Sequence, residues 1–363
     1  MELTKENLLV ALREVEDPDL HKDLVSLGMI QNVHIAEASV AFDVVLTTPA
    51  CPLKEMIKKN CEEVLVKYFG EIKMVINMTS NVTSTRDETP VLPDVKNIIA
   101  VSSGKGGVGK STVAANLAVS LAKTGADVGL IDADIFGPSI PTMFNCEFEQ
   151  PGIVQENGKN KIVPILQYGV KLISIGFLTN SDDAVVWRGP MASSALRQFI
   201  SDAKWGELDY LIIDLPPGTS DIHLTLVQAV PVTGAVVVTT PQKVALADAQ
   251  KGISMFRQPQ INVPILGLVE NMAWFTPEEL PTHKYFIFGE NGGQRLAEKN
   301  DIEMLGQIPI VQSIREGGDK GYPSSLKEGE ISDAFRHLAE SVARQVAIRN
   351  ATLVETKKVE MTV

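Results

Sequence analysis

The chain has 363 residues, a formal net charge of -12 and 44% hydrophobic residues, enough to bury one large core and a smaller one. Its acidic balance disfavours a nucleic-acid partner, whose backbone attracts basic surfaces, and no apolar run is long enough to span a bilayer. The N-terminus is too polar for a signal peptide and three cysteines form no disulfide framework, so we expect a cytoplasmic protein without a membrane partner.

The first 82 residues predict a small α+β domain. Leu8, Leu12 and Val15 share one face of an amphipathic helix at the N-terminus. The other predicted elements are two alternating strands near 30–35 and 40–46, a helix from 52 to about 69, and a last strand over 73–82. Residues 1–82 therefore contain helices and strands in an order that can form one small core.

A polar linker and a larger domain follow. The stretch from Thr79 to Pro93 is polar and contains two prolines, so residues 83–94 are interpreted as a linker. Repeated strand–helix alternation over residues 95–350 is typical of a doubly wound parallel sheet, which predicts an α/β fold. The last helix is predicted near 331–348, and residues 351–363 are predicted to form a loose tail.

A glycine-rich loop near the start of the larger domain is the most informative motif. The residues that fit the phosphate-loop pattern are Gly104, Lys105, Gly106, Gly107, Val108, Gly109, Lys110, Ser111 and Thr112. A predicted strand precedes them and a predicted helix follows, so backbone N–H groups and a helix N-terminus would surround a phosphate. Lys110 would reach the β- and γ-phosphates, and the Ser111 hydroxyl would ligate Mg²⁺. The sequence therefore predicts a nucleotide-binding protein.

Three aspartates follow predicted strands of the same domain. Asp132 and Asp134 come after an apolar stretch at 128–131, and Asp214 comes directly after a second such stretch at 210–213. A single aspartate at such a position is more often a helix N-cap, but carboxyl ends of parallel strands share one edge of a sheet. We expect Asp214 to hold Mg²⁺ through water and Asp134 to position the attacking water. Asp132 would support either the metal shell or the switch loop.

Lys105 is a second lysine within the phosphate loop. It is either a solvated loop residue or a group that points across a two-fold axis at the nucleotide of a partner subunit, as an arginine finger does in trans. The paired-lysine loop resembles that of the deviant Walker A ATPases, which include the Mrp/ApbC iron–sulfur carriers and the septum-placing and plasmid-partition ATPases. This resemblance implies a homodimer that closes around two ATP molecules.

Within that group, the chain resembles the Mrp/ApbC family along nearly its whole length. Besides the phosphate loop, the matching segments are 131–139, 187–191, 213–219, 269–272 and 306–309. The resemblance implies an ATP-hydrolysing switch that acts with client or assembly proteins in iron–sulfur protein assembly. It also implies that Asn271 contacts the adenine base and that the loop of Pro309 packs on it. A turn-forming role is the alternative for Asn271, and Arg188 is assigned no role beyond a partner contact.

The N-terminal domain resembles the small MIP18-like domain of iron–sulfur maturation factors. The match includes residues 17–19, 25–30 and 46–52, the last of which contains Cys51. Cys51 precedes a predicted helix N-terminus, which favours a thiolate, so it is either a reactive or cluster-binding sulfur or a small apolar residue in a turn. For Cys61 and Cys146 a buried structural role is predicted.

One segment departs from the family pattern. Relatives that carry a [4Fe–4S] cluster have a Cys-x-x-Cys shortly after the Glu-Asn-Met motif, whereas residues 273–286 of this chain contain no cysteine and none follows Cys146. Thiolates are the standard cluster ligands, and His283 alone is a poor substitute. The alternative function is therefore a positioning or adaptor ATPase that controls partner association and carries no cluster itself.

Overall fold

The computed structural model describes residues 1–36, 39–85, 91–134, 137–156, 158–178, 189–219, 221–277, 279–280 and 282–354. The chain divides into two compact units. The smaller one consists of Met1–Thr83 and Ala347–Leu353, and the larger one includes Ser84–Val346. Trp187 and Arg188, which belong to one of the family motifs, lie outside the described residues.

The smaller unit is an α+β structure. Its elements are α1 (Lys5–Leu12), β1 (Glu16–Asp17), β2 (Lys22–Asp23), β3 (Ile30–Ala36), β4 (Ser39–Leu46), α2 (Lys54–Phe69) and β5 (Lys73–Ser80). Helix α1 begins after Thr4, whose hydroxyl accepts a hydrogen bond from the Asn7 backbone N–H, and α2 ends at Gly70 with a φ of 74°. The unit confirms the predicted small α+β domain.

The core of the smaller unit lies between the helices and one sheet face. Strands β3, β4 and β5 form a sheet in that order, and every second residue of β4, from Val40 to Leu46, is buried. Leu8 and Leu12 of α1 and Ile57 of α2 pack in the same cluster. The alternating pattern of the sequence therefore predicted this strand, and the structure shows which of its faces is buried.

The larger unit contains the parallel sheet. Its strands are β6 (Val95–Ser103), β7 (Val128–Asp132), β8 (Gly152–Glu156), β9 (Lys159–Val163), β10 (Ile165–Gln167), β11 (Val170–Ser174), β12 (Leu208–Asp214), β13 (Gly234–Thr239), β14 (Ile265–Phe275) and β15 (Met304–Ile310). Eight of them form a sheet in the order β10-β11-β7-β12-β6-β13-β14-β15. All neighbours pair in parallel except β10 and β11, so the predicted α/β class is confirmed.

Helices cover this sheet. They are α3 (Lys110–Lys123), α4 (Ile140–Met143), α5 (Gly189–Ser201), α6 (Asp221–Ala229), α7 (Lys243–Phe256), α8 (Gly292–Asn300), α9 (Gln312–Asp319) and α10 (Glu330–Thr352), with 3₁₀ turns at Ile175–Leu178 and Ser324–Leu326. Strands β6, β7 and β12 are almost wholly buried, as strands between two helical layers must be. Within the described ranges, no helix combines the length and the apolar composition that a bilayer crossing requires.

Strands β8 and β9 form an antiparallel hairpin apart from the large sheet. The sequence analysis did not predict it, because β8 is exposed throughout and shows no alternation of buried and exposed positions. The last helix also differs from its predicted bounds, since it runs from Glu330 to Thr352 and so includes the first two residues of the predicted tail.

Candidate functional site

The glycine-rich loop lies between β6 and α3, at the carboxyl end of a central strand. Helix α3 begins at Lys110, and Gly109 before it has a φ of 77°. Gly107 also has a positive φ, of 82°. Only glycine adopts this left-handed backbone at little cost, which explains two of the glycines in the motif. The loop presents the N-terminus of α3, with Ser111 and Thr112 in its first turn, at the edge of the sheet.

Two glycines of the loop are also fixed by tertiary neighbours. A Cβ atom on Gly104 would overlap the backbone of Asp248 in α7, and a Cβ atom on Gly109 would overlap the side-chain nitrogen of Asn271 on β14. By contrast, a Cβ atom on Gly106 would meet nothing nearer than the Pro217 ring at 3.9 Å. Close packing of α7 and β14 therefore holds the loop in place.

Lys110 lies at the centre of a buried group of charges. Its Nζ is 2.7 Å from Oδ1 of Asp214, 3.5 Å from Oδ2 of Asp134 and 3.3 Å from Oγ of Ser111. Lys110 is only 5% exposed and Asp214 is fully buried. Asp132 lies beside Asp214 in the register of β7 and β12. The sheet thus brings together the charged residues that the sequence analysis selected from two strands and a loop.

Asp132 is held by protein donors on both oxygens. Its Oδ1 accepts a hydrogen bond from the Asp134 backbone N–H at 3.2 Å, and its Oδ2 accepts from the Ser174 hydroxyl at 2.9 Å and the Ile140 N–H at 3.3 Å. Burial is the larger cause, and the negative charge of Asp214 the smaller one, of a pKa of Asp132 that is raised to about 7. Because its oxygens bind the residues that flank the loop after β7, the geometry favours support of that loop over a place in the metal shell.

The residues near Lys110 fit a Mg²⁺ ion that arrives with phosphate. Oδ2 of Asp214 is buried and accepts no hydrogen bond from the described part of the chain, and the Ser111 hydroxyl lies next to the same lysine. Burial raises the pKa of Asp214, and the Lys110 ammonium opposes that rise. In the described ranges, no group of three or more His, Cys, Asp or Glu side chains could hold a metal alone. Mg²⁺ commonly completes such a small protein set with phosphate oxygens and water.

Lys105 occupies the loop without joining this cluster. Its backbone oxygen accepts a hydrogen bond from the Ser103 hydroxyl at 3.0 Å, and the residue is half-buried. Among the described residues, its ammonium forms no ion pair, whereas that of Lys110 contacts two carboxylates. The two lysines of the loop therefore have different surroundings, and only Lys110 is turned towards the buried aspartates.

A cavity of about 440 Å³ adjoins the loop, which we call the base cavity. It is lined by Gly109, Thr112, Pro138, Ser139, Thr142, Met143, Asn271, Met272, Pro309, Ile310, Val311, Ile314, Arg315, Gly318 and Asp319. The side-chain nitrogen of Asn271 donates to the backbone oxygen of Val108 at 2.8 Å, and Asn271 is 6% exposed. Both Asn271 and Pro309, which the family resemblance assigned to the base, thus lie at a ligand-sized cavity beside the phosphate loop.

Two groups of site residues were missed by the sequence analysis. Ser174 ends β11 in register with Asp132, so the rule that polar residues at strand ends share an edge would have found it. Ile314 and Arg315, on α9, also line the base cavity, although they lie outside the matching segment 306–309. A short amphipathic helix carries no sequence signal that would connect it with a phosphate loop 200 residues earlier.

Cys51 and Cys61 belong to the smaller unit, and Cys146 follows α4 in the larger one. Cys51 is half-buried in the smaller unit, three residues before α2 begins. Burial raises the pKa of the Cys61 thiol to about 12 and that of the Cys146 thiol to about 12, and both residues are at most 1% exposed. Two of the three thiols are therefore enclosed and protonated at neutral pH.

Aromatic residues occupy the segment in which the family resemblance implied a Cys-x-x-Cys. The Lys284 ammonium lies 3.8 Å from the centre of the Trp274 ring. Phe275 and Tyr285 exchange two backbone hydrogen bonds, of 2.9 and 2.8 Å, which close the intervening loop. Nearby, the exposed side chains of Phe286 and Ile287 add further apolar surface. This chemistry suits apolar and cationic contacts rather than iron ligation.

The parallel sheet, the phosphate loop and the buried lysine–aspartate cluster define a P-loop nucleotide-binding protein. A family model described as a NUBPL iron-transfer P-loop NTPase matches residues 94–344, and one described as an iron-sulfur cluster assembly protein matches residues 5–74. The chain belongs to this family of iron-transfer P-loop NTPases.

Relatives of known name agree with that assignment. The chain is 47% identical over 351 residues to the iron-sulfur cluster carrier protein of Synechocystis sp., which covers 95% of this chain and 97% of the relative. The Deinococcus radiodurans protein of the same name is 46% identical, with 94% and 95% covered. Among solved structures, a nucleotide-binding protein from Archaeoglobus fulgidus in complex with ADP is 40% identical in sequence, with a TM-score of 0.57. The match covers 65% of this chain and 91% of the Archaeoglobus fulgidus chain. The family resemblance stated from the motifs is thereby confirmed.

Proposed function

We propose that this protein is an ATP-binding and ATP-hydrolysing dimeric switch that acts in the cytoplasm in iron–sulfur protein assembly. The observation that carries the proposal is the buried contact of Lys110 with Asp214 and Asp134 at the N-terminus of α3, beside the base cavity. Phosphoryl transfer needs positioning and neutralisation of charge more than covalent chemistry, and this cluster offers both. The names of the relatives supply the assembly role.

Each charged residue has a distinct task in the proposed reaction. Lys110 exchanges its carboxylate partners for the β- and γ-phosphate oxygens when ATP enters, and the N–H groups of the loop donate to the same phosphates. Asp134, once released from Lys110, accepts a hydrogen bond from the attacking water and orients it towards the γ-phosphate. Ser111 and, through water, Asp214 would hold Mg²⁺. When bound, Mg²⁺ would neutralise part of the phosphate charge.

Asn271 would make the site selective for adenine. Its side-chain nitrogen donates one hydrogen to the Val108 oxygen, and its amide oxygen is the acceptor that we expect to meet the base. An acceptor pairs with the exocyclic amino group of adenine and is repelled by the carbonyl of guanine. Pro309 provides an apolar wall of the same cavity.

We further propose that the active form is a homodimer in which Lys105 acts on the nucleotide of the partner subunit. Lys105 forms no ion pair with a described residue, and Lys110 already occupies the position for phosphates in its own chain. A cation supplied in trans would complete the site only in the closed dimer, so that hydrolysis and partner contact are coupled.

The residues of this chain do not fit the family's shared cluster site. The segment after Asn271 presents Trp274 and Lys284 in place of thiolates, and Cys61 and Cys146 are enclosed. The proposed reaction therefore places no [4Fe–4S] cluster at this segment, and Cys51 is the cysteine of the chain that is not fully enclosed. The second candidate function, an adaptor ATPase that controls the association of client or assembly proteins and carries no cluster, is favoured by this aromatic segment.

Two measurements on the full chain test the proposal. Phosphate release from ATP should occur in the wild type and be lost in Lys110→Ala, and an absence of ATP turnover in the pure wild-type protein would contradict it. Anaerobic reconstitution, read by visible absorbance with iron and sulfide counts, separates the two candidates when it includes Cys51→Ser. A stoichiometric cluster that disappears in Cys51→Ser would favour a carrier with its ligand in the smaller unit, whereas an active ATPase without cluster would favour the adaptor.

A further inference from the structure

A second cavity, of about 590 Å³, lies on the other side of one wall of the base cavity. Both cavities are lined by Pro309 and Val311, at the end of β15 and just after it. We call the second one the aromatic cavity; its remaining lining residues are Trp274, Phe275, Thr276, Pro277, Glu279, Lys284, Gln307, Gln312, Ser313, Glu330, Ile331 and Ala334. Its size is that of a ligand site, and nothing in the proposed ATPase reaction uses it.

The aromatic wall of this cavity is held in place by the fold. The two backbone hydrogen bonds between Phe275 and Tyr285 fix the end of β14 against the returning loop. Lys284, next to Tyr285, lies over the Trp274 ring at 3.8 Å. A wall of this kind loses little conformational freedom on binding, which favours affinity.

Hydrogen-bond acceptors dominate the polar part of the cavity. Glu279 and Glu330 are exposed and form no ion pair with any described residue. The side-chain nitrogen of Gln307 donates to Glu270 at 2.8 Å, and that of Gln312 donates to Glu316 at 2.6 Å. Among the described lining residues the one cation is Lys284, whose ammonium lies over the Trp274 ring. The cavity therefore offers carboxylates and amide oxygens to a ligand that carries donors and positive charge.

We propose that the aromatic cavity binds a short segment of a partner protein in which an arginine is flanked by apolar residues. A guanidinium group supplies several donors in one plane, stacks on aromatic rings and pairs with carboxylates. The apolar neighbours of the arginine pack against Phe275, Ile331 and Ala334. The net charge of -12 attracts a basic segment over a longer distance.

The shared wall links this binding to the nucleotide. Strand β14 carries Asn271 into the base cavity and Trp274 into the aromatic cavity, while Pro309 and Val311 border both. A shift of this wall on nucleotide binding would change the aromatic cavity. The protein should therefore bind the arginine-containing segment with different affinities in the presence of ADP and of a non-hydrolysable ATP analogue. This part of the inference rests on the proposed ATPase function.

The test uses the full chain and fluorescent peptides of sequence Ser-Leu-Leu-Arg-Leu-Leu-Ser, with Gln or Glu replacing Arg in two matched peptides. Binding is followed by fluorescence anisotropy without nucleotide. We expect the Arg peptide to bind about tenfold more tightly than the Glu peptide. Each exposed ion pair changes the affinity by less than about tenfold, and the exchange replaces attraction to two carboxylates by repulsion. Ala334→Trp fills the cavity and should abolish binding. His337→Trp, on the exposed side of α10, places the same side chain outside the cavity and should retain it.

Several outcomes would overturn the inference. Equal binding of the Arg and Glu peptides would refute the ligand chemistry, and unchanged binding in a folded Ala334→Trp protein, judged by its melting temperature, would refute the site. A loss of self-association in Ala334→Trp, measured by sedimentation, would assign the cavity to a second copy instead. If peptide binding occurs but nucleotide binding does not, the proposed ATPase function fails while the site stands; equal peptide affinity with the two nucleotides would refute the coupling alone.

Discussion

Two regions along the carboxyl edge of the large sheet have opposite chemistry. At β6, β7 and β12, the phosphate region buries one lysine among three aspartates, with Lys110 2.7 Å from Asp214. At β14 and β15, the aromatic region holds the half-buried Trp274 ring under the Lys284 ammonium. The exposed carboxylates of Glu279 and Glu330 lie in the same region and form no ion pair with a described residue. One strand, β14, reaches from the first region to the second, because Asn271 contacts the phosphate loop and Trp274 lines the aromatic cavity.

The difference shows which constraints act on each region. The phosphate region depends on strand register and on backbone conformation, so that a change in any one group disturbs the others. The aromatic region depends on a loop that two backbone hydrogen bonds close, and its side chains can change without disturbing the sheet. The side chains of the aromatic region can therefore vary while the phosphate region stays unchanged.

The largest effect should follow the loss of Lys110. We expect Lys110→Ala to weaken ATP binding about a thousandfold, since it removes two charge-assisted hydrogen bonds to phosphate, and to abolish turnover. Calorimetry with ATP and Mg²⁺ measures the binding. Lys243→Ala, at the exposed start of α7, is the matched control and should bind as the wild type does. Tight binding by Lys110→Ala would show that the phosphates lie elsewhere.

Lys105→Ala should separate turnover from binding. The variant should keep the wild-type affinity for ATP and lose about a thousandfold in turnover, which is the effect of a missing cation supplied in trans. Steady-state phosphate release measures the turnover and calorimetry the affinity. Mixing this variant with an excess of Lys110→Ala should restore activity in mixed dimers, and a normal rate in Lys105→Ala alone would refute the role in trans.

Asn271→Ala acts on the strand that joins the two regions. It should reduce the preference for ATP over GTP about tenfold, because the site loses the acceptor that distinguishes the two bases. Competition between the nucleotides for a fluorescent ADP measures that preference. An unchanged ratio would mean that the base is read by other residues of the cavity, such as those on α9.

Trp274→Ala should have the smallest effect on nucleotides. ATP affinity should change less than about twofold, since the side chain lies across the Pro309 wall from the base cavity. The Arg peptide should bind much more weakly to the same variant. A large loss of ATP affinity would contradict the division of this edge into two regions with separate side chains.

Local patterns predicted the phosphate region well. The loop, the strands that end at Asp132 and Asp214, and helix α3 follow from glycine spacing and apolar runs, and their meeting follows from the rule for parallel sheets. The aromatic cavity could not be predicted, because it is formed by residues from β14, β15 and α10 that no sequence period connects. The contact of Asn271 with Val108 is equally non-local, since the two residues are 163 positions apart in the chain.

Gly104 has a consequence for how the motif tolerates mutation. Its missing side chain makes room for the backbone of Asp248 in α7, whereas Gly107 has open space around it and needs glycine only for its backbone angle. In a saturation-mutagenesis library scored by protein abundance alone, every substitution at Gly104 should be depleted more strongly than alanine at Gly106. Two glycines of one signature would then be retained by selection for different properties, Gly104 for a folded chain and Gly106 for the close approach of a ligand.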